Sequence, residues 1–144
     1  MRRQIEDASG SICSFYLKPC DNGILPAFQP GQYLTFSVRT DAEGKEQVRC
    51  YSLSEYGDAG QYRISVKREK GGVVSNFLHD RLNVGDTLEL FPPAGEFTLT
   101  DSDKPLVLIS GGVGITPTLA MLEAALATKR PIHFIHCARN ADVH

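Results

Sequence analysis

The stretch PLVLISGGVGITPTLAML, residues 105–122, decides the fold of the C-terminal part of the chain. Pro105 to Ser110 is almost continuously apolar, as in a parallel strand buried on both faces. Gly111-Gly112-Val113-Gly114 follows. Thr116-Pro117 then reads as a helix start, with Thr116 as N-cap and Pro117 at the first helical position. Leu119, Leu122, Ala125 and Leu126 form the expected apolar face. Lys129-Arg130 closes the helix before Pro131, where positive charge suits the C-terminal dipole. Ile132 to Cys137 is the next strand. This is one βαβ unit, and a doubly wound sheet needs more strands. The unit is therefore expected to be the N-terminal part of a truncated Rossmann-like domain, residues 104–144.

Working outward, the character of the chain changes near Lys104. Upstream, short runs of period two are split by turn signals: Ile12 to Lys18, Gln32 to Val38, Gln47 to Ser54, Tyr62 to Arg68, Thr87 to Phe91 and Glu96 to Leu99. The turns fall at Asp21-Asn22-Gly23, Gln29-Pro30-Gly31, Asp41 to Gly44, Gly57 to Gly60, and Pro92 to Gly95. Six short strands with regular turns predict a six-stranded antiparallel barrel or sandwich over residues 1–103. One helix interrupts them, Ser75 to Leu82, with Ser75 as N-cap.

Composition narrows the function classes. The 144 residues are 42% hydrophobic and 22% charged, which is ordinary for a soluble globular chain and excludes disorder or coiled coil. A net charge of -2 argues against a nucleic-acid-binding surface. No run approaches a membrane span, and MRRQIEDASG lacks the apolar core of a signal peptide. A cytoplasmic protein is expected. The four cysteines, at 13, 20, 50 and 137, fit no iron–sulfur spacing. They read as small buried hydrophobes in a reducing compartment. His133 and His136 point to opposite faces of a strand, so no metal site is expected. His79 reads as solvated.

Three segments carry chemistry. In Arg49-Cys50-Tyr51-Ser52, an arginine two residues from a tyrosine can hold a phosphate while the ring stacks on a flat ligand. On their own, these four residues fit an ordinary exposed cross-strand pair better. Gly71-Gly72-Val73-Val74-Ser75-Asn76 lies at a helix N-terminus, where free N–H groups suit an anion; a plain glycine turn is the other reading. Ser110 to Pro117 runs from a buried strand through glycines into a helix, a context that favours a pyrophosphate. It is not the G-x-G-x-x-G fingerprint.

Together and in order, PGQYLTF, RCYSLS, ISVKREKGGVVSNFLHD, VGDTLELFPPAGEF and LISGGVGITPTLAML resemble the ferredoxin–NADP reductase superfamily. KREKGGVVSNFLHD, VGDTLELFPPAGEF and the ending ARNADVH are most similar to the reductase part of flavohaemoglobins, the nitric oxide dioxygenases. The resemblance implies a Greek-key flavin-binding barrel followed by a nicotinamide-nucleotide domain. It implies that Arg49 holds the FAD phosphates, Tyr51 stacks on the isoalloxazine and Ser52 approaches its N5 edge, with Cys50 between them. Tyr33 also lies by the flavin, and Val74, Ser75 and Asn76 meet the pyrophosphate. Gly112, Val113, Gly114, Ile115, Thr116 and Pro117 meet NADH or NADPH, with Thr116 near the nicotinamide. Tyr51, Ser52 and Thr116 are thus the expected catalytic residues. Hydride passes from NAD(P)H to FAD, and single electrons pass to the haem of a fused globin, supporting nitric oxide detoxification. NADH is the expected donor, although Arg139 is placed to meet a 2′-phosphate.

The family's C-terminal cysteine–glycine–proline segment and its globin domain are not in this sequence, so a fragment without haem is expected. Two other classes fit the shared motifs: a reductase component of a multicomponent oxygenase or stand-alone flavin reductase, and a non-enzymatic binding module. The chemistry itself needs no general acid or base, because a flavin supplies it and the protein supplies position.

Overall fold

The computed structural model describes residues 2–39 and 46–140. The turn expected at Asp41 to Gly44 lies outside them. Six strands make two three-stranded antiparallel sheets: β1 (Arg2–Ile5), β2 (Ile12–Leu17), β3 (Tyr33–Arg39), β4 (Glu46–Ser52), β5 (Tyr62–Lys67) and β6 (Glu89–Leu90). One sheet has the order β1-β2-β5, the other β4-β3-β6. An isolated Leu53–Ile64 bridge joins them. Among the described residues the ladders do not close into a ring, so the antiparallel sense holds but continuous barrel closure is not seen.

Period-two alternation sets the core. Cys13, Phe15 and Leu17 of β2, Leu34, Phe36 and Val38 of β3, and Tyr62, Ile64 and Val66 of β5 all point inward. The helix α1 (Val73–Asp80) caps them with Val74 and Leu78. Burying each large apolar side chain contributes about 1.5–3 kcal/mol. α1 starts earlier than expected, at Val73. Gly72 is its N-cap and no side chain caps it. Ser75 instead accepts the Glu69 N–H at 3.2 Å.

Two further expectations fail for identifiable reasons. β1 carries no apolar alternation because all four of its residues are exposed on a sheet edge. The Asp7 carboxylate builds its hairpin by accepting the Ile12 N–H and the Ser11 hydroxyl, both at 2.7 Å. Glu96 to Leu99 is not a strand. Pro92-Pro93 and Gly95 (φ 114°) break the ladder, and Leu99 makes only one bond back, to the Pro30 carbonyl at 3.1 Å.

His79 is buried, not solvated. Its Nε2–H donates to the Val66 carbonyl at 2.9 Å, since a carbonyl can only accept. The ring meets the Phe15 ring edge-on at 6.1 Å. Of the four cysteines only Cys13 is buried; Cys20, Cys50 and Cys137 are exposed.

The C-terminal unit consists of β7 (Leu106–Gly111), a 3₁₀ turn (Gly112–Gly114), α2 (Ile115–Leu126) and β8 (Ile132–Cys137). β7 and β8 pair in parallel, Leu106 opposite Ile132. The 3₁₀ turn leads directly into α2 through Gly114 in helical conformation. Thr116 is therefore the second helical residue, not the cap, and its hydroxyl donates to the Val113 carbonyl at 3.1 Å. α2 buries Ala120, Met121 and Ala125. It ends at Leu126, which is exposed, so the expected extension to Arg130 and the inward placement of Leu126 are both corrected. β7 is covered on one face only: Leu108 is buried while Val107 and Ile109 are exposed.

The two units meet at Gly31. A Cβ on this residue would lie 2.0 Å from the Phe97 carbonyl oxygen and 2.5 Å from Met121 Cε. Its φ of 105° also lies in the region that favours glycine. Glu123 of α2 adds a polar tie by accepting the Tyr56 N–H.

Candidate functional site

The expected site residues come from segments far apart in sequence. β4 pairs with β3, placing Tyr51 opposite Leu34 and Ser52 opposite Tyr33. Strand alternation then sends Arg49 and Tyr51 to one side, Cys50 and Ser52 to the other. The β5–α1 loop brings Gly72 to the same region, and the turn after β7 adds glycines from the other unit.

These segments enclose an open cleft of about 470 Å³. Arg49, Cys50, Tyr51 and Ser52 line it from β4, Val74 and Ser75 from α1, and Val113, Gly114, Thr116 and Pro117 from the C-terminal unit. Its volume is within the usual range of about 300–1,000 Å³ for ligand sites. A Cβ on Gly114 would meet nothing within 4 Å, so the backbone there faces open space.

Side-chain geometry assigns tasks. The Tyr51 ring is held edge-on by Phe36 at 5.5 Å. Burial raises the Tyr51 phenol above its ordinary value near 10, with the Arg49 charge pulling the other way. Tyr51 is thus a neutral hydrogen-bond donor at physiological pH. Arg49 is exposed, its guanidinium bonded only to the Val48 carbonyl at 2.7 Å among the described contacts. The Cys50 Sγ lies 3.4 Å from the Thr35 hydroxyl. The α1 end facing the cleft has neither an acidic residue in its first turn nor a side-chain cap, so it favours an anion.

Four expected residues are not in the lining. Tyr33 packs its ring against Gly95, where a Cβ would lie 2.8 Å from Cε1. The Asn76 amide is spent on its own loop, donating to the Glu69 carbonyl at 3.1 Å and to the Gly72 carbonyl. Ile115 is the half-buried first residue of α2. Gly112 lines a neighbouring cavity of about 270 Å³ together with Lys67, Cys137 and Arg139.

Sequence reasoning missed Ser65 and Glu69 as cleft residues. Ser65 and Lys67 were findable, since they follow Arg63 on the outward face of β5. Lys67 lines both cavities and pairs with Glu69 at 3.0 Å. His136 bonds the Ser110 hydroxyl through Nδ1 at 2.8 Å. No group of three or more metal-ligating side chains exists among the described residues, and no described helix is long and apolar enough to cross a membrane.

Residues 5–99 match the model of the oxidoreductase FAD-binding domain, and residues 108–144 match that of the oxidoreductase NAD-binding domain. The flavohemoprotein of Pseudomonas putida is 64% identical over 139 residues, covering 96% of this chain and 35% of the relative. That of Pseudomonas aeruginosa is 62% identical, covering 99% and 35%. The chain thus spans about a third of the length of the curated relatives it matches.

Among solved structures, the FAD/NAD-binding domain of nitric oxide dioxygenase from Vibrio cholerae superposes with a TM-score of 0.93. It shares 38% identity and is matched over 99% of this chain and 62% of its own. Phthalate dioxygenase reductase superposes with a TM-score of 0.81 at 31% identity, over 96% and 42%. With the larger part of its sequence matched by the first family model, the chain belongs to the oxidoreductase FAD-binding domain family.

Proposed function

We propose that this chain is the reductase module of a flavohaemoglobin, passing hydride from NADH or NADPH to FAD and then single electrons to the haem of a fused globin. In the full-length protein this supports nitric oxide dioxygenation and detoxification in the cytoplasm. The observation that carries the reading is the convergence of Arg49-Cys50-Tyr51-Ser52, the N-terminal end of α1 and the Val113–Pro117 segment on one cleft. Relatives named flavohemoprotein at above 60% identity support it over an oxygenase reductase component.

In this reading residues 1–103 form the FAD-binding unit, its two sheets together a six-stranded Greek-key barrel. Residues 104–144 form part of the NAD(P)-binding unit. The residues fit the cofactors. An uncapped helix end and an exposed guanidinium whose bond is to the Val48 carbonyl suit phosphates, a half-buried phenol ring suits a flat ring system, and Gly114 leaves room for close approach.

FAD, when bound, supplies a hydride acceptor that also releases electrons singly. Arg49 neutralises phosphate charge with charge-assisted hydrogen bonds. Tyr51 provides the stacking wall, and its phenol keeps its proton. Ser52, which also lines the cleft, would offer its hydroxyl to the flavin ring. The backbone of Val74 and Ser75 donates to the pyrophosphate, and Asn76 holds the loop that presents them. Tyr33 supports the flavin wall through Gly95. Gly112 to Pro117 receive NAD(P)H, with Thr116 oriented by its bond to Val113. The α2 residues and Phe36 exclude water behind these groups.

The test is an FAD titration followed by flavin fluorescence. The expected result is strong quenching by the unsubstituted chain. Arg49→Ala is expected to weaken binding by about 1.5–3 kcal/mol, the range for hydrogen bonds to charged groups. A folded chain that leaves FAD fluorescence unchanged overturns the reading.

A further inference from the structure

One end of α1 faces the cleft; a residue more than seventy positions away in sequence holds the other. Arg3, on β1, donates from Nη2 to the His79 carbonyl at 3.1 Å and more weakly from Nη1 to the Leu82 carbonyl at 3.5 Å. Its guanidinium lies 5.8 Å from the centre of the Phe15 ring. His79 is in the last turn of α1, where a helix leaves carbonyls without internal partners. Arg3 thus satisfies one of these and places positive charge at the negative end of the helix dipole.

Two other ties act on the same end. Arg68 grips Asp80 with two bonds, at 2.7 and 3.0 Å, and the His79 ring bonds the Val66 carbonyl of β5. The opposite end is tied to its own loop through the Ser75 hydroxyl and the Asn76 amide, but it has no side-chain cap and no carboxylate in its first turn. α1 is therefore clamped to distant strands and charge-compensated at its C-terminal end, and left without a capping side chain where it meets the cleft.

We infer that Arg3 is a positioning residue for the phosphate-binding end of α1: from the far end of the helix it sets the direction of the N–H groups that meet the cofactor's phosphates. Arg3 touches no cofactor. The inference rests on the FAD reading above. It links β1, the edge strand furthest from the cleft in its sheet order, to the affinity of the site.

The experiment titrates the unsubstituted chain, Arg3→Ala and Arg3→Gln with FAD and, separately, with riboflavin, which has the same ring system but no phosphate. Flavin fluorescence is the readout, and the flavin-free thermal midpoint is measured on the same samples. Arg3→Ala is expected to weaken FAD binding about fivefold and leave riboflavin binding unchanged. Arg3→Gln keeps a donor without the charge and is expected to lose less, which also covers the case of an Arg3→Ala chain that does not fold. Equal FAD affinity in the substituted and unsubstituted chains overturns the inference alone. So does an equal loss for FAD and riboflavin, which marks general loosening. Absence of FAD binding by the unsubstituted chain overturns the flavin reading and this inference with it.

Discussion

The two units of this chain bury their apolar residues differently. In the antiparallel unit, Phe15, Leu34, Phe36, Leu53, Ile64, Val66 and Leu78 are fully enclosed by two sheets and a helix. In the α/β unit, Leu108, Ala120, Met121 and Ala125 are covered, but Val107 (55%), Ile109 (67%), Ile135 (50%) and Leu126 (67%) face solvent. The first unit closes on itself with its own side chains. The second has a helix on one face of a two-stranded sheet and, among the described residues, no element over the other. A sequence pattern suited to burial on both faces is met by a structure that covers one. Cohesion should therefore reside in the antiparallel unit, while the α/β unit leans on it through Gly31, Glu123 and Arg130, whose guanidinium donates to the Thr100 and Ser102 carbonyls at 3.1 and 3.0 Å.

The sharpest way to break this contrast is to hollow the first core. Phe36→Ala is expected to cost about 3–5 kcal/mol, as for other buried aromatic truncations, read as a shift in the urea unfolding midpoint. A loss below 1 kcal/mol would mean that Phe36 is not enclosed as described.

Next comes a polar element of the same core. His79→Ala leaves the Val66 carbonyl without its donor and is expected to cost about 1–3 kcal/mol by the same measurement. His79→Gln, which restores a donor, should recover part of the loss.

The third prediction concerns pH. Burial, the largest influence on Glu6, raises its pKa, but hydrogen bonds from Ser14 and Arg63 and the Arg63 charge outweigh it and leave the group below the ordinary 4.5. A folded-state pKa below the unfolded one stabilises the fold above the unfolded value, and the gain disappears as pH falls through the folded one. Stability should thus fall on acidification below about 4.5. Glu6→Gln should flatten this part of the profile in urea titrations at successive pH values.

The smallest effect sharpens the comparison from the other side. Ile109→Ser on the uncovered face of β7 is expected to change stability by no more than about 0.5 kcal/mol. A larger loss would show that this face is covered in solution.

The sequence was most readable where one physical rule acts alone. The alternation of Leu34, Phe36 and Val38 identifies a half-buried strand, and Ser110 to Pro117 identifies a strand–turn–helix, because period and glycine content suffice. Convergence on the cleft was legible only through resemblance, since Arg49 and Ser75 meet through sheet pairing that no local pattern encodes. β1 was missed because Arg2-Arg3-Gln4-Ile5 has no apolar rhythm; its place follows from pairing with β2. The burial of His79 depends on a carbonyl thirteen residues away that needs a donor. The start of α2 moved because the 3₁₀ turn brings helical backbone forward to Gly114.

The seam at Gly31 bears on the spacing between the two units. The absence of a side chain lets Met121 of α2 and the Phe97 backbone close on the same point. An alanine there would press first on the Phe97 backbone and then on the Met121 methyl of α2, disturbing the seam between the units without altering any residue that lines the cleft. On the reading proposed above, a graded series of side chains at position 31 becomes a ruler for how closely the two halves of the cleft must approach for hydride to pass.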